Sequence, residues 1–197
     1  MLRLIYLLIL GLLIFFGCSK KTEQKLFEEH LAKETGIDFE NKVIQDQENH
    51  VLNYPYYFNG GGVGVGDINN DGLEDIYFSG NSVPNQLYLN KGDFQFEDIT
   101  QKAGVSAAQG WKTGVSMIDI NQDGWIDIYV CRSAMGDSVL RKNLLFINNG
   151  DLTFTEKADE YGLADNSYST HASFLDYDKD GDLDLFVLNH SLPKYAG

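Results

Sequence analysis

Three nine-residue segments of this chain carry oxygen side chains at the same four places: Asp67-Ile-Asn69-Asn-Asp71-Gly72-Leu73-Glu-Asp75, Asp119-Ile-Asn121-Gln-Asp123-Gly124-Trp125-Ile-Asp127 and Asp176-Tyr-Asp178-Lys-Asp180-Gly181-Asp182-Leu-Asp184. Oxygens at positions 1, 3, 5 and 9, a glycine at 6 that permits a sharp turn, and a carbonyl offered by position 7 (Leu73, Trp125, Asp182) form a donor set for a hard cation with many oxygen ligands. Calcium, at about three sites, is the expected ion. An EF-hand or dockerin loop would need a glutamate at position 12, where this chain has Phe78, Val130 and Val187. Each loop runs instead into a β-prone stretch (Asp75-Ile-Tyr-Phe78, Asp127-Ile-Tyr-Val130, Asp184-Leu-Phe-Val187), so it joins two strands of a hairpin. The third loop has aspartate at all four side-chain positions, where the others use Asn69 or Asn121 at the second. By ligand charge it should bind calcium most tightly.

Other chemistry is sparse. His30, His50, His171 and His190 do not recur at matching repeat positions and show no zinc spacing. Gly60, Gly61, Gly62, Gly64 and Gly66 lack a nucleotide-binding spacing and run into an aspartate, so they read as strand glycines needed for close backbone approach. Ser116, Ser169 and Ser173 sit in no nucleophile elbow. Tyr56, Tyr57, Trp111, Trp125 and Tyr129 suit either a sugar-stacking platform or, the favoured reading, packing between repeats. The net charge of −14 excludes nucleic acid as a partner, since its phosphates need Lys and Arg. The expectation is a binding protein and no enzyme.

The elements that must carry the loops repeat as well. Asn85-Gln-Leu-Tyr-Leu-Asn90-Lys-Gly92-Asp-Phe-Gln-Phe96 matches Asn143-Leu-Leu-Phe-Ile-Asn148-Asn-Gly150-Asp-Leu-Thr-Phe154, and Ala103-Gly104-Val105 matches Tyr161-Gly162-Leu163, all 58 residues apart. A period in the fifties built of short strands points to propeller blades. Four strands are expected in the first unit, at about 62–68, 75–79, 86–90 and 94–99. The fold class is thus all-β, with propeller blades of four antiparallel strands at about 58–106 and 107–165. A third, at 166–197, stops after its second strand, so the array is expected to be incomplete and its open edge prone to aggregation.

These loops, the preceding Phe58-Asn-Gly-Gly-Gly-Val-Gly-Val-Gly66 and Leu87-Tyr-Leu-Asn-Lys-Gly92 resemble FG-GAP-like or VCBS repeats of integrin-alpha-type β-propellers. More narrowly, Thr35-Gly-Ile-Asp-Phe39, Gly110-Trp111-Lys-Thr-Gly114 and Asp127-Ile-Tyr-Val-Cys131 are similar to bacterial lipoproteins that often carry an ASPIC/UnbV domain downstream. The resemblance implies a seven-bladed propeller with calcium in its blade loops, acting as an adhesion or binding module for an unidentified protein or glycan. The alternative is a larger envelope enzyme or polysaccharide-handling lipoprotein whose active residues lie outside this chain.

At the N-terminus, Arg3 and the apolar run from Leu4 to Phe16 precede Gly17-Cys18-Ser19 and two lysines. The run is too short to span a membrane, which takes about 20 apolar residues. Residues 1–17 therefore read as a lipoprotein signal peptide, with Cys18 the acylated residue. The implied location is the bacterial cell envelope, anchored by lipid, on the outer membrane. Only Cys131 then remains, a small buried hydrophobe with no disulfide partner. Residues 18–55 form a polar linker that either spaces the propeller from the membrane or packs on it, with a possible short helix at 23–33.

Overall fold

A computed structural model describes residues 26–47, 49–134 and 137–191. The described residues divide into two units, 26–30 and 31–191. The first is exposed and without helix or strand. The signal peptide and Cys18 lie outside the described residues.

Among the described residues the second unit has ten strands: β1 (Val63–Gly66), β2 (Asp75–Phe78), β3 (Gln86–Asn90), β4 (Phe96–Asp98), β5 (Trp111–Ile118), β6 (Asp127–Ser133), β7 (Leu144–Asn148), β8 (Phe154–Glu156), β9 (Ser169–Leu175) and β10 (Asp184–Asn189). They form two antiparallel meanders, β1-β2-β3-β4 and β5-β6-β7-β8, and a hairpin of β9 with β10. These are propeller blades, two with four strands and a third with two among the described residues. Each aspartate loop closes the first hairpin of its blade, between the pairs Gly66 and Asp75, Ile118 and Asp127, and Leu175 and Asp184.

The first strands of successive blades lie against one another, and glycine sets how closely. A Cβ on Gly62 would stand 2.7 Å from the Thr113 carbonyl, and one on Gly114 would stand 2.5 Å from that of Thr170. Hydroxyls seal the same seam: Ser79 donates to Thr113 O at 2.5 Å and Thr113 to Ser169 O at 2.8 Å. Gly61 and Gly62 thus serve close backbone approach, as the sequence implies, and Gly64 makes room for the Val115 and Met117 side chains; Gly60 differs, with nothing within 4 Å of such a Cβ and a φ of 80°.

Side chains alternate across each strand, so a blade with neighbours on both faces buries both. In β6, Ile128 and Val130 join Tyr77, Leu87, Leu89 and Val105 of the first blade. Tyr129 and Cys131 join Ala172 of the third. All of β6 is buried, whereas β10 leaves Phe186 and Leu188 exposed. Burial pushes the Cys131 thiol up to about 12, which makes it inert at neutral pH.

The 58-residue matches have a physical cause. Tyr77 donates its hydroxyl to Val105 O at 2.7 Å and receives the Asn85 side-chain amide at 2.7 Å. Tyr129 does the same with Leu163 O and Asn143, at 2.8 and 3.0 Å. Each buried triad ties the second strand to the start of the third and to the link beyond the fourth.

The segment before the first blade lies along that blade and adds no strand among the described residues. Phe39 stacks on Phe78 at 5.0 Å, Tyr88 donates to Asp38 at 2.8 Å, and Asn41 exchanges bonds of 2.7 and 2.9 Å with Asn81. The helix expected over 23–33 differs: residues 26–31 are not helical, and only Ala32–Thr35 makes a turn. Leu26 and Phe27 are about nine-tenths exposed, so no packed face supports a short helix there.

Candidate metal loops

The first two loops share one hydrogen-bond plan. Asp67, at position 1, receives the backbone N–H of Asp71 at 3.1 Å and of Gly72 at 2.7 Å, and Asp119 receives those of Asp123 and Gly124 at 3.0 and 2.9 Å. Asp71 and Asp123, at position 5, each receive the N–H of position 7, Leu73 and Trp125, at 2.9 Å. Asn69 and Asn121 donate their amides to the same position-5 carboxylates at 2.9 and 2.8 Å. The turn itself needs left-handed backbone: position 4 (Asn70, Gln122, Lys179) has φ of 59°, 58° and 66°, and the glycine at position 6 has 84°, 89° and 99°.

Position 9 does more than offer an oxygen. Asp75 is wholly buried, accepting the N–H of Ile68 at 3.0 Å and of Asn90 at 2.7 Å. Asp127 is equally buried, with Ile120 at 3.1 Å and Asn148 at 2.8 Å. One carboxylate therefore joins its loop to the end of the third strand. Burial pushes Asp127 up to about 6, against the pull of its two backbone N–H groups and with the negative charges of Asp123 and Asp119 adding to it. Burial raises Asp75 in the same way.

In the third loop, Asp176, Asp178 and Asp184 each present a carboxylate oxygen, all within 4.8 Å of one another. Asp184 accepts the Tyr177 N–H at 2.8 Å and is only half-buried. Asp182 donates its N–H to Asp180 at 3.1 Å. That bond holds the Asp180 carboxyl below its usual range, while Asp182, sharing a hydrogen bond with Asp180 and facing its charge, is raised. Carboxylate, carboxamide and carbonyl oxygens without nitrogen or sulfur fit a hard divalent ion such as calcium.

The aromatic residues do not form one platform. Tyr129 is in the core and Tyr57 is buried, whereas Trp125 lies in the second loop, against Gly150. Tyr57 and Trp111 meet at 4.8 Å, and Tyr54 stands 5.8 Å from both Tyr56 and Trp111. Here His190 lies 2.9 Å from the Ser133 hydroxyl and 3.1 Å from that of Tyr54, a packing role that agrees with the sequence reading of the histidines as surface or packing residues.

Sequence reasoning missed two kinds of residue. The amides of Asn70 and Gln122 reach the next loop, and Asn148 donates to Ile68 O at 2.8 Å across the blade boundary. The readable signal was a carboxamide at the fourth position of both loops and the recurring Asn90 and Asn148.

A family model described as "FG-GAP-like repeat" matches residues 67–130 and 133–187, more than half of the 197 residues. Cartilage acidic protein 1 of Xenopus tropicalis is 32% identical over 133 residues, which cover 68% of this chain and 20% of that protein. The Homo sapiens protein of the same name is 30% identical over the same length, and the Mus musculus one 38% over 72 residues, covering 36% of this chain and 11% of that protein. The chain thus spans about a fifth of the length of the first two relatives. Among the described residues, no helix is long and apolar enough to cross a membrane.

Proposed function

The chain belongs to the FG-GAP-like repeat family, and from that premise we propose that it is a calcium-binding propeller module, lipid-anchored in a bacterial cell envelope, that binds a protein or glycan. The observation that carries the calcium part is the third loop, whose Asp176, Asp178 and Asp184 converge to within 4.8 Å. Asp67, Asn69, Asp71 and Asp75 would hold a second ion, and Asp119, Asn121, Asp123 and Asp127 another, with the carbonyls of Leu73, Trp125 and Asp182 completing the sets. The bound ion would neutralise carboxylates and cross-link the two strands of each hairpin. Backbone N–H bonds to Asp67, Asp71, Asp119 and Asp123 already shape the first two loops.

Export and anchoring rest on the N-terminal pattern, with Cys18 as the acylated residue and the ASPIC/UnbV-bearing lipoproteins as the narrower relatives. Adhesion rests on likeness to integrin-type propellers. A non-enzymatic role fits the lack of a nucleophile or zinc pattern in the sequence. Because the chain spans a fifth of its relatives, a second reading places it within a larger envelope enzyme or polysaccharide-handling protein, with active residues elsewhere.

Calorimetric titration of the purified chain with calcium, with magnesium as the selectivity check and EDTA as the blank, tests the first part. Saturable binding at about three sites with a calcium-dependent melt is expected; a folded chain that takes up no calcium would reduce the loops to aspartate-glycine turns. Membrane fractionation of Cys18→Ala tests the anchor, and retained membrane association would refute it.

A further inference from the structure

The loops touch one another in a pattern that metal ligation alone does not require. The side-chain amide of Asn70, fourth in the first loop, donates to the carbonyl of Gly124, sixth in the second, at 3.0 Å. Gln122, fourth in the second loop, donates to the carbonyl of Gly181, sixth in the third, at 2.7 Å. The same pair of positions is used at both blade boundaries, and Asn70 and Gln122 are otherwise exposed.

What these bonds hold is a peptide plane. The Gly124 carbonyl shares a rigid peptide unit with the N–H of Trp125, which donates to the candidate ligand Asp123 at 2.9 Å. The Gly181 carbonyl shares one with the N–H of Asp182, which donates to Asp180 at 3.1 Å. Pinning the carbonyl from the preceding loop therefore aims the N–H that orients a position-5 carboxylate in the following loop. Asn70 lies between the candidate ligands Asn69 and Asp71, and Gln122 between Asn121 and Asp123. An ion held by the flanking residues fixes the backbone of the fourth residue and so the aim of its amide.

We propose that Asn70 and Gln122 are positioning residues that couple the loops in series, so that calcium in one loop raises the affinity of the next. This rests on the calcium reading above. Coupling is reciprocal, so filling the second loop must strengthen the first by the same factor.

Trp125 sits in the second loop and reports on it separately. The chain has two tryptophans, so calcium titrations of the full chain in a Trp111→Phe background follow Trp125 emission alone. Asp67→Ala, which disables the first loop, and Asn70→Ala, which removes only the amide, should each weaken calcium at Trp125 by roughly three- to tenfold, the effect of losing one modest hydrogen bond. The double variant should be no weaker than the single ones. Asn70→Gln, which restores a carboxamide as in the second loop, should return affinity toward the parent. Calcium binding at Trp125 left unchanged by Asp67→Ala and Asn70→Ala overturns the coupling and leaves calcium binding standing. A folded parent chain with no calcium heat overturns the calcium reading, and the coupling with it.

Discussion

The second and third loops have almost the same sequence plan but sit in different surroundings. In the second, Asp127 is wholly buried and joins its loop to the end of β7 through the N–H groups of Ile120 and Asn148. In the third, Asp184 holds one loop N–H, and its hairpin exposes Phe186 and Leu188. The lesson is that position 9 offers a cation-type oxygen by chemistry and acts as a structural clamp by context. At that position only the context distinguishes the two loops.

The largest expected effect follows from that contrast. Asp127→Ala orphans the N–H groups of Ile120 and Asn148, and should cost about 3 kcal/mol of unfolding free energy in calcium-free denaturant titrations. Asp184→Ala should cost less than about 1 kcal/mol; equal losses would erase the distinction between the loops.

The tyrosine position sharpens the comparison next. Tyr129→Phe removes a buried hydroxyl that both donates and accepts, and should lower stability by about 1 to 2 kcal/mol. Phe186 occupies the matching place in the exposed hairpin, so Phe186→Tyr should change stability by less than about 0.5 kcal/mol. Thermal melts of the two variants side by side decide this.

Calcium removal should act on all three loops. An extracellular-type site with a dissociation constant of about 10⁻⁴ to 10⁻³ M and a tenfold excess of ion stabilises by about 1.4 kcal/mol. By charge, the third loop should retain its ion at the lowest calcium concentration. Equal affinities in Asp71→Ala and Asp180→Ala titrations, each silencing one loop, would contradict that ranking.

A pH slope is also expected. In calcium-free protein Asp127 titrates at about 6, against 3.8 in an unstructured chain. Between those values the folded state holds a proton that the unfolded state has released, so the contribution of Asp127 to stability falls as pH rises from about 4 to 6. Asp75 adds in the same direction. Melting temperatures of EDTA-treated protein should show a component that declines over that window, and Asp127→Asn should flatten it. Calcium should offset the decline, since the ion favours the charged carboxylates.

Much of the fold was legible because its determinants are local. The loop pattern, the β-prone runs after Asp75, Asp127 and Asp184, and the matched segments at Asn85 and Asn143 placed the strands of the first blade within a few residues: β3 as expected, β1, β2 and β4 shorter. The short helix was misjudged because helical stability depends on a packed face that residues 26–31 do not have. Tyr56, Tyr57, Trp111, Trp125 and Tyr129 could be identified as aromatic, but their division among core, loop and the Tyr54 and His190 cluster depended on contacts far apart in sequence.

By itself the sequence determined the repeat, the turn chemistry of the loops, their oxygen donors and the four-stranded meander, all properties of residues close together along the chain. Tertiary structure decided which aspartates are buried clamps, which amides cross from loop to loop, and where residues 35–44 lie. Inter-blade hydrogen bonds join residues far apart in sequence, 34 residues for Ser79 and Thr113 and 54 for Asn70 and Gly124, and no local pattern encodes which neighbour will be there.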